Sequence, residues 1–200
     1  MKKLLPLFYL IALAYGCQDE INSDDLQVRP YIDGIEVISD ASVLSDRFHE
    51  RNENVSVRGL QSGRVETAYQ LTLVSEIDPP KIRNEQTMAT SVDIADGLIA
   101  VSYNYIGEDF RGGVDLISRN GETLSLVSQL AYDRSDISMV FLSDQSIYYA
   151  GGSPDSDSVA FADAIALTNT TPDLSQLTRR SVGGHLATCV AKSSNQLFIT

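Results

Sequence analysis

The chain has 200 residues and a formal net charge of −12 at pH 7. Such a surface repels phosphate backbones, and the sequence has no cluster of Lys and Arg, so we expect no nucleic-acid partner. Hydrophobic residues make up 43% of the chain, enough for a packed core.

Residues 1–16 predict a secretory signal peptide. Lys2 and Lys3 precede an apolar run from Leu4 to Ala14, which is too short for a membrane-spanning helix of ~20 residues. Cys17 follows Gly16 directly after this run, an arrangement that resembles the lipobox of bacterial lipoproteins. The resemblance implies cleavage after Gly16 and acylation of Cys17, so that a lipid anchor binds the protein to its membrane. An ordinary cleaved signal is the alternative.

Residues 17–30 predict an acylated Cys followed by a flexible acidic tether, because Gln18 to Asp25 are polar, acidic and free of aromatic residues. This stretch is also similar to the acidic sorting signals of Bacteroidetes-type lipoproteins. That similarity implies a place on the bacterial outer membrane, exposed at the cell surface. A periplasm-facing position is the alternative.

Residues 31–69 form a less regular N-terminal segment. Ile35 to Ile38 and Val55 to Val57 are candidate short strands, and residues 41–51 have the pattern of one or two helical turns. The segment is a candidate for the first unit of the repeats that follow.

Three hairpins are predicted in the next part of the chain. Val92–Ile94 and Leu98–Tyr103 flank Asp96-Gly97, and Val114–Ser118 and Thr123–Leu130 flank Asn120-Gly121. Both dipeptides are strong hairpin signals. A third pair, Val140–Leu142 and Ile147–Ala150, flanks a polar turn. Asp163–Thr168 is a further strand, with Leu174–Val182 as its partner.

These strands repeat with a period of about fifty residues. Val92, Val140 and Val190 correspond, and so do Val101, Tyr149 and Ile199. Residues 113–118 match residues 163–168 with a shift of 50, and residues 73–77 match residues 126–130 with a shift of 53. Each period holds about four strands, which is typical of a β-propeller blade. A β-sandwich needs no such period, and the coils of a β-helix are shorter. The sequence therefore predicts an all-β fold, a partial β-propeller of about two and a half four-stranded blades in residues 71–200.

A family resemblance rests on four stretches of this region, namely LTLVSEIDPPK (71–81), ATSVDIADGLIAVSYNYIGEDFRGGVDLIS (89–118), LVSQLAYDRSDISMV (126–140) and IYYAGG (147–152). They resemble the LVIVD-repeat proteins of Bacteroidetes-type bacteria. The resemblance implies a β-propeller lipoprotein, and it brings no established biochemical role with it.

A closed propeller has at least four blades. We therefore expect this chain to be a fragment of a longer protein of about 350–450 residues. A chain with only these blades would have to form oligomers or expose its strand edges.

Candidate site residues are few. We predict no catalytic residue, metal site or cofactor, because the sequence has no HExxH, CxxC, GxSxG or P-loop motif. Asp136 and His185 lie near the starts of the second and third repeats, a position that faces the central channel of a propeller. The alternative is that both are solvated loop residues.

The sequence favours a membrane-anchored, surface-exposed lipoprotein whose propeller binds an unknown protein or glycan. The alternative is a propeller enzyme, a hydrolase or a dehydrogenase, whose site would be completed by further blades.

Overall fold

The structure is a computed structural model that describes residues 34–58, 68–154 and 159–200. The described part is nearly all β, as predicted, with one short α-helix, α1 (Ala41–Ser45), and a 3-10 turn at Leu174–Gln176. In chain order the described strands are β1 (Ile35–Ile38), β2 (Phe48–Arg58), β3 (Ala68–Ile77), β4 (Lys81–Ile82), β5 (Glu85–Ala95), β6 (Leu98–Tyr105), β7 (Gly112–Asn120), β8 (Thr123–Tyr132), β9 (Asp136–Ser143), β10 (Ser146–Gly152), β11 (Ala160–Thr168), β12 (Thr171–Pro172), β13 (Thr178–Ser181), β14 (Val190–Ser193) and β15 (Gln196–Ile199).

Strands β5 to β8 form an antiparallel meander, the centre of the first sheet, whose order is β1-β8-β7-β6-β5-β4. Asp96 and Gly97 both have positive φ, at 50° and 78°, as the tight turn between β5 and β6 requires. Gly121 has φ 63° in the turn between β7 and β8. The two predicted hairpins are therefore confirmed.

The second sheet contains β9, β10 and β11 in meander order, with β13 on the far side of β11. Its first turn holds Asp144 and Gln145 at φ 52° and 57°, in the third predicted hairpin. Strands β14 and β15 form a third sheet of two strands, and β2 and β3 form a separate two-stranded N-terminal hairpin.

The sheets pack face to face, and the core lies between them. The largest buried cluster joins the first and second sheets, and includes Leu116 and Leu130 on one side and Ile147 and Phe161 on the other. A second cluster joins the second and third sheets around Ala150 and Val190. The N-terminal segment covers the opposite face of the first sheet, where Leu44 of α1 packs on Ile117 and Leu126. Each sheet thus packs against the elements that precede it in the chain.

Three successive hairpins share a strand register. Val92 pairs with Val101, Val140 with Tyr149, and Val190 with Ile199, so the positions matched in the sequence occupy the same place in three successive hairpins. The predicted shift of 50 for the third strand is wrong by two residues. Val101 pairs with Asp115 and Tyr149 pairs with Asp163, which sets the shift at 48. The apolar pattern cannot distinguish shifts of 48 and 50, because a displacement of two residues leaves every side chain on the same face of a strand.

Candidate functional site

Asp136, one of the two predicted channel-facing residues, is the first residue of β9 and is half-buried. Its carboxylate accepts a hydrogen bond from the backbone N–H of Arg111 at 2.9 Å. Burial raises the pKa of the Asp136 carboxyl, while hydrogen bonds from the backbone N–H groups of Arg111 and Tyr105 act in the opposite direction. Asp136 therefore holds the loop before β7 against the start of β9.

His185, the other predicted residue, is exposed in the loop between β13 and β14. Both residues flank the glycine pair at the end of β10. A Cβ atom on Gly151 would lie 1.9 Å from the carbonyl oxygen of Asp136, and one on Gly152 would lie 3.4 Å from the carbonyl oxygen of His185. The close approach of the Asp136 loop therefore depends on glycine at position 151, whereas a Cβ atom on residue 152 would only touch the His185 carbonyl oxygen.

A third loop, residues 106–111, reaches the same end of the strands. A Cβ atom on Gly152 would lie 3.1 Å from the Phe110 ring and 3.0 Å from the Leu186 side chain. The Arg111 guanidinium lies 5.3 Å from the centre of the Tyr105 ring. We call the loops 106–111, 133–136 and 183–187, together with Gly151-Gly152, the glycine-end surface. Leu186 was not predicted, because a single leucine in a loop carries no pattern.

A buried ion pair that the sequence analysis missed lies between the N-terminal segment and the first sheet. Arg47, next to α1, donates from Nη1 to Gln129 Oε1 at 2.8 Å and to Asp115 Oδ1 at 3.1 Å, and its Nη2 also contacts Asp115. Burial raises the pKa of the Asp115 carboxyl, and the Arg47 guanidinium opposes this shift. These contacts tie the N-terminal segment to β7 and β8.

The second sheet has an equivalent pair. Arg179 of β13 donates from Nε and Nη2 to the two oxygens of Asp163, both at 2.8 Å, and its guanidinium lies 3.8 Å from the centre of the Phe161 ring. Asp163 is completely buried, and the hydroxyls of Tyr132 and Tyr149 bond to each other in the same cluster. The sequence signal that could have predicted these two pairs is an Asp within each of two apolar strands, Asp115 and Asp163, 48 residues apart.

A cavity of about 980 Å³ separates the N-terminal segment from the outer edge of the first sheet. Charged side chains of both signs line it, including Glu36, Arg47, Lys81, Arg83 and Asp133. Arg83 and Asp133 form an ion pair across it. We call it the N-terminal cleft.

Residues 34–58, 68–154 and 159–200 contain no group of three or more His, Cys, Asp or Glu side chains that could hold a metal ion. No helix within them is long and apolar enough to cross a membrane. The predicted lipidation site Cys17 lies outside the described residues.

Comparison with protein-family models, with curated proteins and with solved structures gives no match to this chain.

Proposed function

We propose that this chain is a lipid-anchored bacterial lipoprotein whose stacked sheets are blades of a β-propeller and which acts as a binding module. The anchor would be the acylated Cys17, at the end of the apolar leader. Residues 17–30 would be the acidic tether that lifts the blades off the outer membrane toward the cell surface.

The observation that carries the propeller part of the proposal is the shared register of successive sheets. Val92–Val101–Asp115 and Val140–Tyr149–Asp163 run across three strands in the same way, 48 residues apart. Both sets face the preceding part of the chain, since Val101 packs with Leu44 and Tyr149 packs with Leu130. Four-stranded meanders that stack in chain order with the same face forward are typical of propellers. The resemblance to LVIVD-repeat proteins agrees with this reading.

The glycine-end surface is the binding site that we propose. It combines loops from successive sheets on a rigid scaffold, where recognition residues commonly lie. Phe110 offers an aromatic ring, Arg111 and His185 offer hydrogen-bond donors, and Leu186 offers an exposed apolar side chain. Aromatic, cationic and apolar groups together suit a protein segment or a glycan.

The anchor is tested by growing cells that express the full chain with an alkyne analogue of palmitate. We expect label on the wild type and on the control Cys189→Ala, and none on Cys17→Ala. Label that persists in Cys17→Ala would exclude the proposed anchor. Protease treatment of intact cells then separates the two membrane faces, because a surface-exposed protein is degraded and a periplasm-facing one is protected.

The binding site is tested by probing a carbohydrate microarray and a phage-displayed peptide library with the wild type and with Phe110→Ala/His185→Ala. Loss of two contact side chains is expected to weaken binding at least about 10-fold. The control is Val43→Ala, which removes an exposed apolar side chain from α1, away from the glycine-end surface. If every ligand of the wild type also binds the double variant equally well, this surface is not the site.

A further inference from the structure

The N-terminal cleft lies between two walls that come from different segments of the chain. Strand β1 forms one wall and residues 78–83 form the other, and Gln129 and Ala131 of β8 line the cleft as well. Its volume of about 980 Å³ is at the upper end of the range for sites that bind small molecules. The cleft is therefore large enough to hold a ligand of that class.

The register of the first sheet sets the width of the cleft. Glu36 of β1 pairs with Ala131, which pairs on its other side with Gly113 of β7. Ile82 lies over Gly113, because a Cβ atom on Gly113 would be 3.6 Å from Cδ1 of Ile82. Glu36 and Lys81, the neighbour of Ile82, therefore lie on opposite walls about two strand spacings apart, or ~10 Å.

Two of the charged residues that line the cleft have no ionic partner in the part of the chain that the structure describes. The other four charged lining residues belong to three pairs, namely Arg47–Asp115, Arg83–Asp133 and His49–Asp78. Glu36 and Lys81 are exposed and form no ion pair with any described residue. The cleft thus presents a carboxylate on one wall and an ammonium on the other, each available to a ligand.

The surface near these two charges is aliphatic. Ile38, Val43, Pro79 and Pro80 are among the residues that line the cleft, and its described lining includes no aromatic side chain. A sugar ring would therefore find no aromatic face to stack on. An aliphatic group, by contrast, can pack between the prolines and the two branched side chains.

The proline wall cannot bind a ligand through its backbone. Neither Pro79 nor Pro80 has an N–H group. The carbonyl oxygen of Pro79 accepts from Gln86 Nε2 at 3.0 Å, and that of Pro80 accepts from the hydroxyl of Thr87 at 2.7 Å. A peptide strand could not add to this wall, so a ligand here would be recognised by side chains and by its own charges.

We propose that the N-terminal cleft binds a small aliphatic zwitterion, an amino acid or a dipeptide, with its ammonium at Glu36 and its carboxylate at Lys81. A charge-assisted hydrogen bond of about 2.8 Å at each end leaves about 4–5 Å of the ~10 Å between the walls. This lies between the lengths of one and two residues at ~3.5 Å each. The inference depends neither on the propeller architecture nor on binding at the glycine-end surface.

The test is equilibrium dialysis of the full chain in detergent against radiolabelled leucine and, separately, the dipeptide Ala-Leu. We expect saturable binding of at least one of them, and the tighter of the two gives the length that fits. For Ala-Leu, acetylation of the amino group or amidation of the carboxyl group removes one charge. Each change should weaken binding at least about 10-fold, and so should Glu36→Gln or Lys81→Gln.

Combining ligands and variants assigns each charge to its partner. In Glu36→Gln, acetylation of the ligand should cause little further loss, because the contact of the ammonium is already absent; amidation in Lys81→Gln should behave likewise. A purely structural effect of either substitution would weaken all the ligands equally. The controls are Glu122→Gln and Lys192→Gln, which remove charges of the same signs outside the cleft and should leave binding unchanged. Circular dichroism checks that every variant is folded.

Absence of saturable binding of both leucine and Ala-Leu at millimolar concentrations would overturn the proposal, and so would equal affinity for Ala-Leu and its two capped forms. The variant Phe110→Ala/His185→Ala separates this site from the glycine-end surface, because it should bind the zwitterion as the wild type does. Loss of zwitterion binding in that variant would place the ligand at the glycine-end surface instead.

Discussion

Replacing Arg179 with alanine tests the buried ion pair of the second sheet. The Asp163 side chain is completely buried and that of Arg179 is 10% exposed. Without the guanidinium, Asp163 would keep its buried carboxylate but lose two hydrogen bonds of 2.8 Å. Removing one partner of a buried pair costs ~3–5 kcal/mol, and the lost contact with the Phe161 ring adds ~1 kcal/mol.

Urea unfolding followed by circular dichroism measures this loss. For a slope of about 2 kcal/mol per molar urea, the midpoint should fall by about 2–3 M. The control is Arg51→Ala, because Arg51 pairs with Glu76 on the surface, with 38% and 54% of the two side chains exposed. An exposed pair contributes at most ~1 kcal/mol, so the midpoint of the control should move by less than ~0.5 M.

Two further results distinguish a buried charge from lost packing. The double variant Asp163→Val/Arg179→Met should recover most of the stability, because apolar residues of similar size often replace a buried pair without cost. Burial raises the pKa of Asp163, and loss of Arg179 removes the bonds that oppose this rise. A carboxyl with a raised pKa favours folding at low pH, so the cost of Arg179→Ala should grow as pH rises. An Arg179→Ala variant as stable as Arg51→Ala would refute the reasoning.

Three other predictions concern contacts between elements. Arg47→Ala should speed amide hydrogen exchange in the N-terminal hairpin but not in the second sheet, because Arg47 ties that segment to Asp115; equal protection before and after the change would contradict this role. Gly151→Ala should lower the free energy of unfolding by more than about 2 kcal/mol, because its Cβ would clash with a backbone oxygen, whereas Gly183→Ala meets nothing within 4 Å and should cost under about 1 kcal/mol. Asp136→Asn keeps the acceptor for the Arg111 N–H but cannot ionise. Since burial raises the pKa of Asp136, the wild type should lose stability as pH rises from the ordinary pKa of Asp through the raised value, and the variant should lose less. Urea midpoints across that range measure the difference, and parallel curves would show that Asp136 does not contribute.

The hairpins could be predicted because they depend on local signals. Asp96-Gly97 and Asn120-Gly121 favour tight turns whatever surrounds them, and the turns lie there. The matching positions of Val92, Val140 and Val190 could be predicted because each belongs to an apolar strand that precedes a turn. The strand at Ile35–Ile38 was also predicted at its observed bounds.

The pairing of distant elements could not be predicted. Nothing local indicates that β1 adds to the edge of β8, or that Arg47 reaches Asp115 across 68 positions. For the site residues too, sequence position could be predicted and contacts could not. Asp136 and His185 were placed near the starts of the repeats from their sequence positions. The glycine pair between them was not predicted, because the lack of a Cβ atom matters only through distances to neighbouring atoms that exist in the folded chain.

The pairing of β1 with β8 imposes an order on folding. Ile35 lies opposite Tyr132, about a hundred positions later, so at ~5–20 residues per second the partner of β1 is synthesised ~5–20 s after β1 itself. Closing so long a loop is also slower than forming the hairpins in between. Strand β1 and the apolar residues of α1 must therefore wait until β5 to β8 have folded, so an early-synthesised strand is among the last of the described elements to reach its partner.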